Sequence, residues 1–554
     1  MNTINSNSGT QEPLLPTPVQ QPLEEALSGV SAGRDVTPYY NNNAPFLYLP
    51  ELTQLEIVRY LGLREVTRLA KVCRYFRDLV KDNNALGRAW NRRFPSPYLD
   101  QLKATLKTKD EQQLRNWLEP FANKGTVETL IEQRKNIYFP LQLLFTNSQL
   151  MSLCRKFELV ETLKITHGGK VREATFSSDG QHLATASSDH TAKIYCREAN
   201  GSWEVKDTIT HNRLVSSASF SSDGRYLVTA CDDGTAKIHG LEDHGSWEEK
   251  ACISHKNYIN SATFSADSRR VVTHSSHNTV KIIGRRNNDS WEVEDTFHRN
   301  LITSATLSPD GRHMIIFASR DCVIEIHGQL DSGLWVVTST IKLEDPVFLA
   351  NFSPNSCHLI LSTSTHSNDA AIIYDLQADG SWKEMDTIEH NGLIQSVNFS
   401  ADCRHVVTAS DDKMAKIHSQ NAGSWEEKAC IKHYREVTSA NFSADCQHVV
   451  TTSDDTAKII SLQTGGSWAL KARIVHQDQV ASATFSADAC HVLTASVDGV
   501  VKIYGLETNG SWLRKAFIQK EEGLAAASFS PDSRNVMTVC KDNTVRITEL
   551  RKKY

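Results

Sequence analysis

Twelve cysteines stand singly along the 554 residues, and no two make a Cys-x-x-Cys pair. That spacing indicates neither a zinc site nor a disulfide framework, so a reducing compartment is expected and no metal. No stretch approaches 18 consecutive apolar residues, which argues against a membrane-spanning helix. A long Lys/Arg block is missing too, and the formal net charge is −5, so nothing draws the chain as a whole to nucleic acid or an anionic membrane. There is no Gly-rich phosphate loop, no Gly-x-Ser-x-Gly and no Cys/His arrangement with local context. Nothing therefore proposes an enzyme or a cofactor. The opening MNTINSNSGTQEPLLPTPVQQPLEEALSG lacks the basic start and apolar core of a secretory leader. The expectation is a soluble, cytoplasmic, non-catalytic protein with no nucleic-acid partner and no membrane insertion; the nucleus remains open to it.

What is present is a clock. Trp203, Trp247, Trp291, Trp335, Trp382, Trp425, Trp468 and Trp512 are spaced 44, 44, 44, 47, 43, 43 and 44 residues apart, and GSWEEKAC occurs twice, at Gly245–Cys252 and Gly423–Cys430. A fixed period of this length marks a repeat architecture. The sample unit 211–254 divides into VSSASF, RYLVTA, TAKIHG and SWEEKACI, separated by SSDG, CDDG and LEDHG. Short β-rich runs between turn residues read as four strands. A four-stranded sheet needs a neighbour on each face to remove its apolar residues from water, and radial stacking of such units makes a β-propeller. The first-strand anchors Phe176, Phe220, Phe264, Leu307, Phe352, Phe399, Phe442, Phe485 and Phe529 number nine. The last unit lacks a fourth strand, and LVETLKITH, starting at Leu159, aligns with WEVKDTITH. The N-terminal strand is thus expected to complete the final blade and close the ring without a free edge. Nine blades are expected; eight with one displaced unit is the alternative, and 344–376 is the irregular stretch.

Upstream, residues 1–44 are rich in Asn, Ser, Pro and Gln and read as a disordered tail. Between 45 and 95 apolar residues recur at helical spacing, with Leu52, Leu55 and Val58 on one face, then Val66, Leu69, Val72, Cys73, Phe76 and Leu79 on a second helix. Residues 96–156 continue as a helical connector, and 157–554 hold the strands.

The strand region resembles the WD-repeat proteins. A His precedes the first strand (His167, His211, His255, His298, His390, His433, His476), and an Asp stands in the turn before the third (Asp189, Asp233, Asp321, Asp412, Asp454, Asp498, Asp542). The resemblance implies a structural network of His, Ser/Thr, Asp and a strand-three Trp. This chain departs at the Trp, placing Tyr195, His239, Ile283, His327, Tyr374, His418, Ile460, Tyr504 and Thr548 there. Its tryptophans instead open the outer strand, where a large ring can cover the seam between blades. Spread one per repeat, the His and Asp residues do not converge as metal ligands must. Pairs such as Asp232-Asp233 and Asp411-Asp412 lie in turns and read as turn chemistry rather than acid/base pairs.

The segment from Leu49 to Phe94 resembles an F-box: Leu-Pro-x-Glu-Leu, then Tyr60-Leu61-x-Leu63, then Ala70-Lys71-Val72-Cys73-Arg74-x-Phe76, then Trp90. F-box plus propeller is similar to substrate receptors of SCF-type cullin-RING ubiquitin ligases. That resemblance implies docking on a Skp-type adaptor, and through it a cullin, by Leu49, Pro50, Leu52, Ile57, Leu61, Val72, Cys73, Phe76 and Trp90, while the propeller holds an unidentified target protein. A structural scaffold without ubiquitin transfer is the rival reading. Repeats this alike suggest recent duplication, and intracellular bacteria also carry F-box proteins that act as effectors in a host cytosol. Target recognition belongs where the repeats differ. The position before the first strand gives Leu214, Tyr258 and Leu301 on successive units, with Arg172, Arg299 and Arg320 as charged neighbours on the top face.

Overall fold

The computed structural model describes residues 111–118, 122, 124–132, 151, 154 and 156–552, apart from 199–200, 277, 300–301, 319–321, 331, 365–368 and 422. Two short helices, α1 (Glu111–Leu118) and α2 (Lys124–Glu132), bury Leu114, Leu118, Val127 and Leu130. Arg115 joins them, pairing with Glu111 at 2.9 Å and with Glu128 at 2.5 Å.

From Phe157 onward the chain forms nine four-stranded antiparallel sheets. The first blade runs through β2 (Val171–Phe176), β3 (His182–Ser187), β4 (Thr191–Arg197) and β5 (Trp203–Thr210). Blades 2 to 8 follow over Val215–Ser254, Ile259–His298, Ile302–Lys342, Val347–His390, Ile394–Lys432, Ser439–Val475 and Val480–Gln519. Blade 9 contains β34 (Leu524–Phe529), β35 (Asn535–Cys540) and β36 (Thr544–Lys552), and β1 (Phe157–Thr166) supplies its outer strand. In that pairing Phe157 lies opposite Lys552 and Thr166 opposite Thr544. The ring is nine-bladed, the displaced-unit alternative is set aside, and the borrowed strand leaves no open edge at the closure.

Strand patterns follow position in the blade. The second strand is covered on both faces, so every residue of HLATAS in β3 is buried, whereas the outer strand WEVKDTIT buries Trp203 and Ile209 and shows acidic and basic residues to water. Nine apolar clusters fill the nine seams. Between blades 1 and 2, for example, Ala184, Ala186, Ala192, Ile194 and Ile209 meet Val215, Ala218, Leu227 and Trp247. The closing seam joins Met537, Val539, Val545 and Ile547 to Val171, Leu183, Tyr195 and Trp203.

Each outer-strand tryptophan lies across such a seam. The Trp247 ring is 5.9 Å from Phe220 of its own blade and meets His182 of the preceding blade edge-on at 5.4 Å. Trp425 and Trp512 repeat this with Phe399 and His358, and with Phe485 and His448. The turns from first to second strand are held by Ser-x-Asp, with Asn355 in place of the aspartate in blade 5. Ser177 Oγ donates to Asp179 Oδ1 at 2.5 Å, and the same carboxylate accepts the Gln181 N–H at 2.9 Å.

The chain leading into β1 is built into the ring. Met151, Cys154 and Phe157 are buried in the cluster between blades 8 and 9, and the buried Lys515 donates to the Cys154 carbonyl at 2.7 Å while pairing with Glu507 at 2.5 Å.

Candidate functional site

Two sets of loops meet on one face of the ring. The Ser188 N–H donates to the Lys170 carbonyl at 2.8 Å, Asp232 to Leu214 at 3.0 Å, Ser276 to Tyr258 at 3.1 Å and Asp411 to Leu393 at 2.9 Å. Each residue before a first strand is thereby fixed beside the turn between strands two and three of its own blade. This is the top face; the Ser-x-Asp turns and the turns before each tryptophan form the bottom.

On the top face Tyr258 is 46% exposed and Leu214, on the neighbouring blade, is half-buried. Arg172 is exposed and its Nε donates to Ser188 Oγ at 2.9 Å. Arg299 is drawn into the seam instead: its guanidinium lies 3.2 Å from Glu325 and donates to the Val323 carbonyl at 3.2 Å, leaving the side chain 14% exposed. Leu301 and Arg320 lie outside the described residues, as do Asp321 of the Asp series and Leu49, Pro50, Leu52, Ile57, Leu61, Val72, Cys73, Phe76 and Trp90. Two aromatics escape the pattern used to select candidates. Tyr434, 79% exposed, follows His433 directly, two residues before the position compared across repeats; Phe348, 44% exposed, follows the first-strand Val347. The signal for both was an aromatic where other repeats carry polar or small residues.

The His series forms hydrogen bonds within each blade. His167 lies 2.9 Å from Asp189 Oδ2 through Nδ1 and 2.8 Å from Thr185 Oγ1 through Nε2; His390 repeats this with Asp412 at 2.8 Å and Thr408 at 2.8 Å. Donation to the carboxylate puts the proton of the neutral ring on Nδ1, so Nε2 accepts from the threonine hydroxyl. Burial lowers the pKa of both histidines despite the carboxylate beside them. Burial works in the opposite direction on Asp412, but hydrogen bonds from His390 and the backbone hold it below its ordinary value. His255, His433 and His476 keep the threonine contact, to Thr273, Thr451 and Thr494, with Nδ1 unpartnered. His298 departs from the series. It is exposed, Ile316 stands where Thr273 stands in the preceding blade, and Arg299 makes the backbone contact that His255 makes there.

His211, Cys231 and Asp233 bring their ligand-type atoms within 4.8 Å of one another. Those atoms are already engaged. His211 Nε2 meets Thr229 at 2.9 Å, Asp233 accepts from Asn212 and Thr235, and Cys231 donates to the Arg213 carbonyl. Burial pushes the Cys231 thiol up to about 12, away from the thiolate that binds metal. This trio is turn and seam scaffold.

A ring of four-stranded blades tied by His–Thr and His–Asp bonds defines the class, a WD-type propeller. Sequence comparison extends it. The WD domain, G-beta repeat, model matches 157–196, 203–239, 382–419, 426–461, 470–505 and 516–548, and the F-box-like model matches 46–93. The chain is an F-box/WD-repeat protein. Among solved structures, the C-terminal WD40 domain of Sif2 is similar, at 15% identity and TM-score 0.48 over 72% of this chain and 99% of that one. Sqt1 of Saccharomyces cerevisiae is similar at 13% identity and TM-score 0.47, covering 70% and 98%. The Dos1 propeller follows at 14% and 0.46, covering 72% and 96%. No curated protein sequence matches the chain.

Proposed function

We propose that this protein is the non-catalytic substrate receptor of an SCF-type ubiquitin ligase, its F-box docking on a Skp-type adaptor and its propeller's top face binding a target protein. The observation that carries the reading is the presence of an F-box-like segment at 46–93 and a WD propeller in one chain. Each is a binding module, and together they can hold a target near a transferase without chemistry of their own. Tyr258, Leu214 and Arg172 present an aromatic, an aliphatic and a cationic group on three successive blades, the side-chain types that anchor protein interfaces. The site of action is the cytosol of whichever cell supplies the adaptor.

The test is recovery of a Skp-type adaptor on the full chain and on a Leu49→Ala, Pro50→Ala variant. The variant is expected to lose the adaptor; equal recovery would sink the proposal. Adaptor binding without ubiquitylation of any co-purified target would leave the scaffold reading in place.

A further inference from the structure

The bottom face carries a pocket that the proposed receptor role does not use. It has a volume of about 380 Å³ and is lined by Arg225, Tyr226, Arg269, Arg285, Arg286, Asn287 and Asp289. Four arginines thus line it, from the Ser-x-Asp turns of blades 2 and 3 and from the end of the third strand and the turn before Trp291. Arg285 stacks 5.0 Å over the Tyr226 ring, and the Tyr226 hydroxyl donates to Asp289. Arg225 and Arg286 are held by exposed ion pairs, to Asp243 at 3.7 Å and Glu292 at 3.1 Å. Arg269 and Arg285 have no carboxylate within ion-pair distance among the described residues.

This pocket is not what the repeat dictates. Where blade 3 has Arg286, blades 1, 2 and 8 have Glu198, Glu242 and Glu507, each paired with a lysine of the outer strand, Lys206, Lys250 or Lys515. In blade 3 that lysine is replaced by Glu294, which turns away to Arg270 at 3.0 Å. Where blades 1, 2, 4 and 5 have Gly201, Gly245, Gly333 and Gly380 at positive φ, blade 3 has Asp289 at φ 66°. An aspartate there accepts a strained backbone that glycine would adopt freely, and its carboxylate fixes the Tyr226 ring under Arg285. The charge inversion and the strained turn are independent departures, and both shape the same pocket.

We infer that this pocket binds a compact oligophosphate anion. Guanidinium forks match phosphate oxygens two at a time, and exposed ion pairs such as Arg225–Asp243 and Arg286–Glu292 are weak enough to yield to a multiply charged ligand. The Asp289 carboxylate accepts the tyrosine hydroxyl yet still repels any anion, so a ligand gains only if it engages several arginines at once. Clustered phosphates occur both on soluble inositol polyphosphates and on phosphoinositide headgroups.

The full chain is titrated calorimetrically with inositol hexakisphosphate, and its co-sedimentation is measured with phosphatidylcholine vesicles with and without phosphatidylinositol bisphosphate. Two variants borrow residues from the molecule's own repeats and so preserve the turns: Arg269→Gln, as at Gln181 and Gln447, and Arg286→Glu, as at Glu198. Binding to the soluble anion is expected, with the double variant weakened by about tenfold or more and its thermal melt unchanged. Sedimentation with the doped vesicles, lost in the same variant, would assign the lipid as a source; its absence would assign the free anion. Equal affinity of wild type and variant, or tighter binding of a singly phosphorylated peptide than of the oligophosphate, would overturn the inference.

Discussion

Trp247→Ala removes a ring that is 6% exposed and lies across the seam between blades 1 and 2. It touches Phe220 at 5.9 Å within its own blade and His182 at 5.4 Å in the preceding one. Truncating a buried aromatic of this size costs about 3–5 kcal/mol, a large part of the roughly 5–15 kcal/mol that separates folded from unfolded chains. The indole N–H finds no acceptor in the protein among the described residues, so it contributes packing and no hydrogen bond. Trp247→Phe keeps an aromatic ring in the seam but leaves part of its volume empty, and is expected to cost clearly less than the alanine variant. Urea titration followed by far-UV circular dichroism measures both variants. Because blades contact only their neighbours, hydrogen exchange should rise first in strands of blades 1 and 2 in the alanine variant. A cost below about 1 kcal/mol for alanine, or equal costs for alanine and phenylalanine, would refute the seam role argued from this geometry.

Thr408→Val takes away the hydroxyl that His390 Nε2 accepts, leaving a buried ring nitrogen unpaired, and is expected to lower stability by about 1–3 kcal/mol by chemical denaturation. Gly499→Ala places a methyl 1.9 Å from the Lys520 carbonyl at φ +88°, so soluble yield and melting temperature should both fall more than for Gly510→Ala, where nothing lies within 4 Å. Burial holds His433 at about 3 and His418 at about 4, well below the ordinary histidine value. They are neutral in the fold while the unfolded chain takes up protons below pH 6.5, so stability is full above that pH and falls as pH drops towards 4. Each excess proton contributes a slope of about 1.4 kcal/mol per pH unit, and a melting temperature that is flat or rising from pH 7 to pH 5 contradicts this. Lys515→Met breaks the contact to the Cys154 carbonyl and should make the chain just before Phe157 more sensitive to limited proteolysis.

Much of the fold was legible because the repeat reports the same environment nine times. The Phe anchors, the Ser-x-Asp turns and the tryptophans each recur at one structural position, so period alone recovers blade count, strand count and the borrowed closing strand. What escaped was set by single departures. His298 matched the series in type and spacing, yet without a threonine at position 316 the ring had no partner, and Arg299 took its place at the seam. Arg299 itself read as a surface charge because nothing in its local sequence announces Glu325 across the blade. Tyr434 lay two residues before the position compared across repeats. The arginine pocket is assembled from residues up to 64 positions apart, Arg225 to Asp289, so no local window displays it.

Tyr434 apart, these departures gather on one side of the ring. The WD-repeat model matches blades 1, 2 and 6 to 9 and leaves 240–381, essentially blades 3 to 5, unmatched. That stretch holds the inverted charges at Arg286 and Glu294, the positive-φ Asp289, the arginine that replaces a seam histidine, and the exposed Tyr258 and Phe348. The chain enters the ring at the seam between blades 8 and 9, and in a ring of nine the blade facing that seam is the fourth. Scaffold conformity is therefore kept where the upstream segment is anchored and relaxed on the opposite side. A seam that carries the connector must preserve its packing, whereas blades remote from it can exchange repeat residues for recognition residues at the cost of local stability alone. Blade 3 is accordingly expected to be needed at both faces, and transplanting 211–298, which brings Leu214, Arg225 and Tyr226 of blade 2 together with Tyr258 and the blade 3 arginines, into a ring of otherwise consensus blades should carry binding with it.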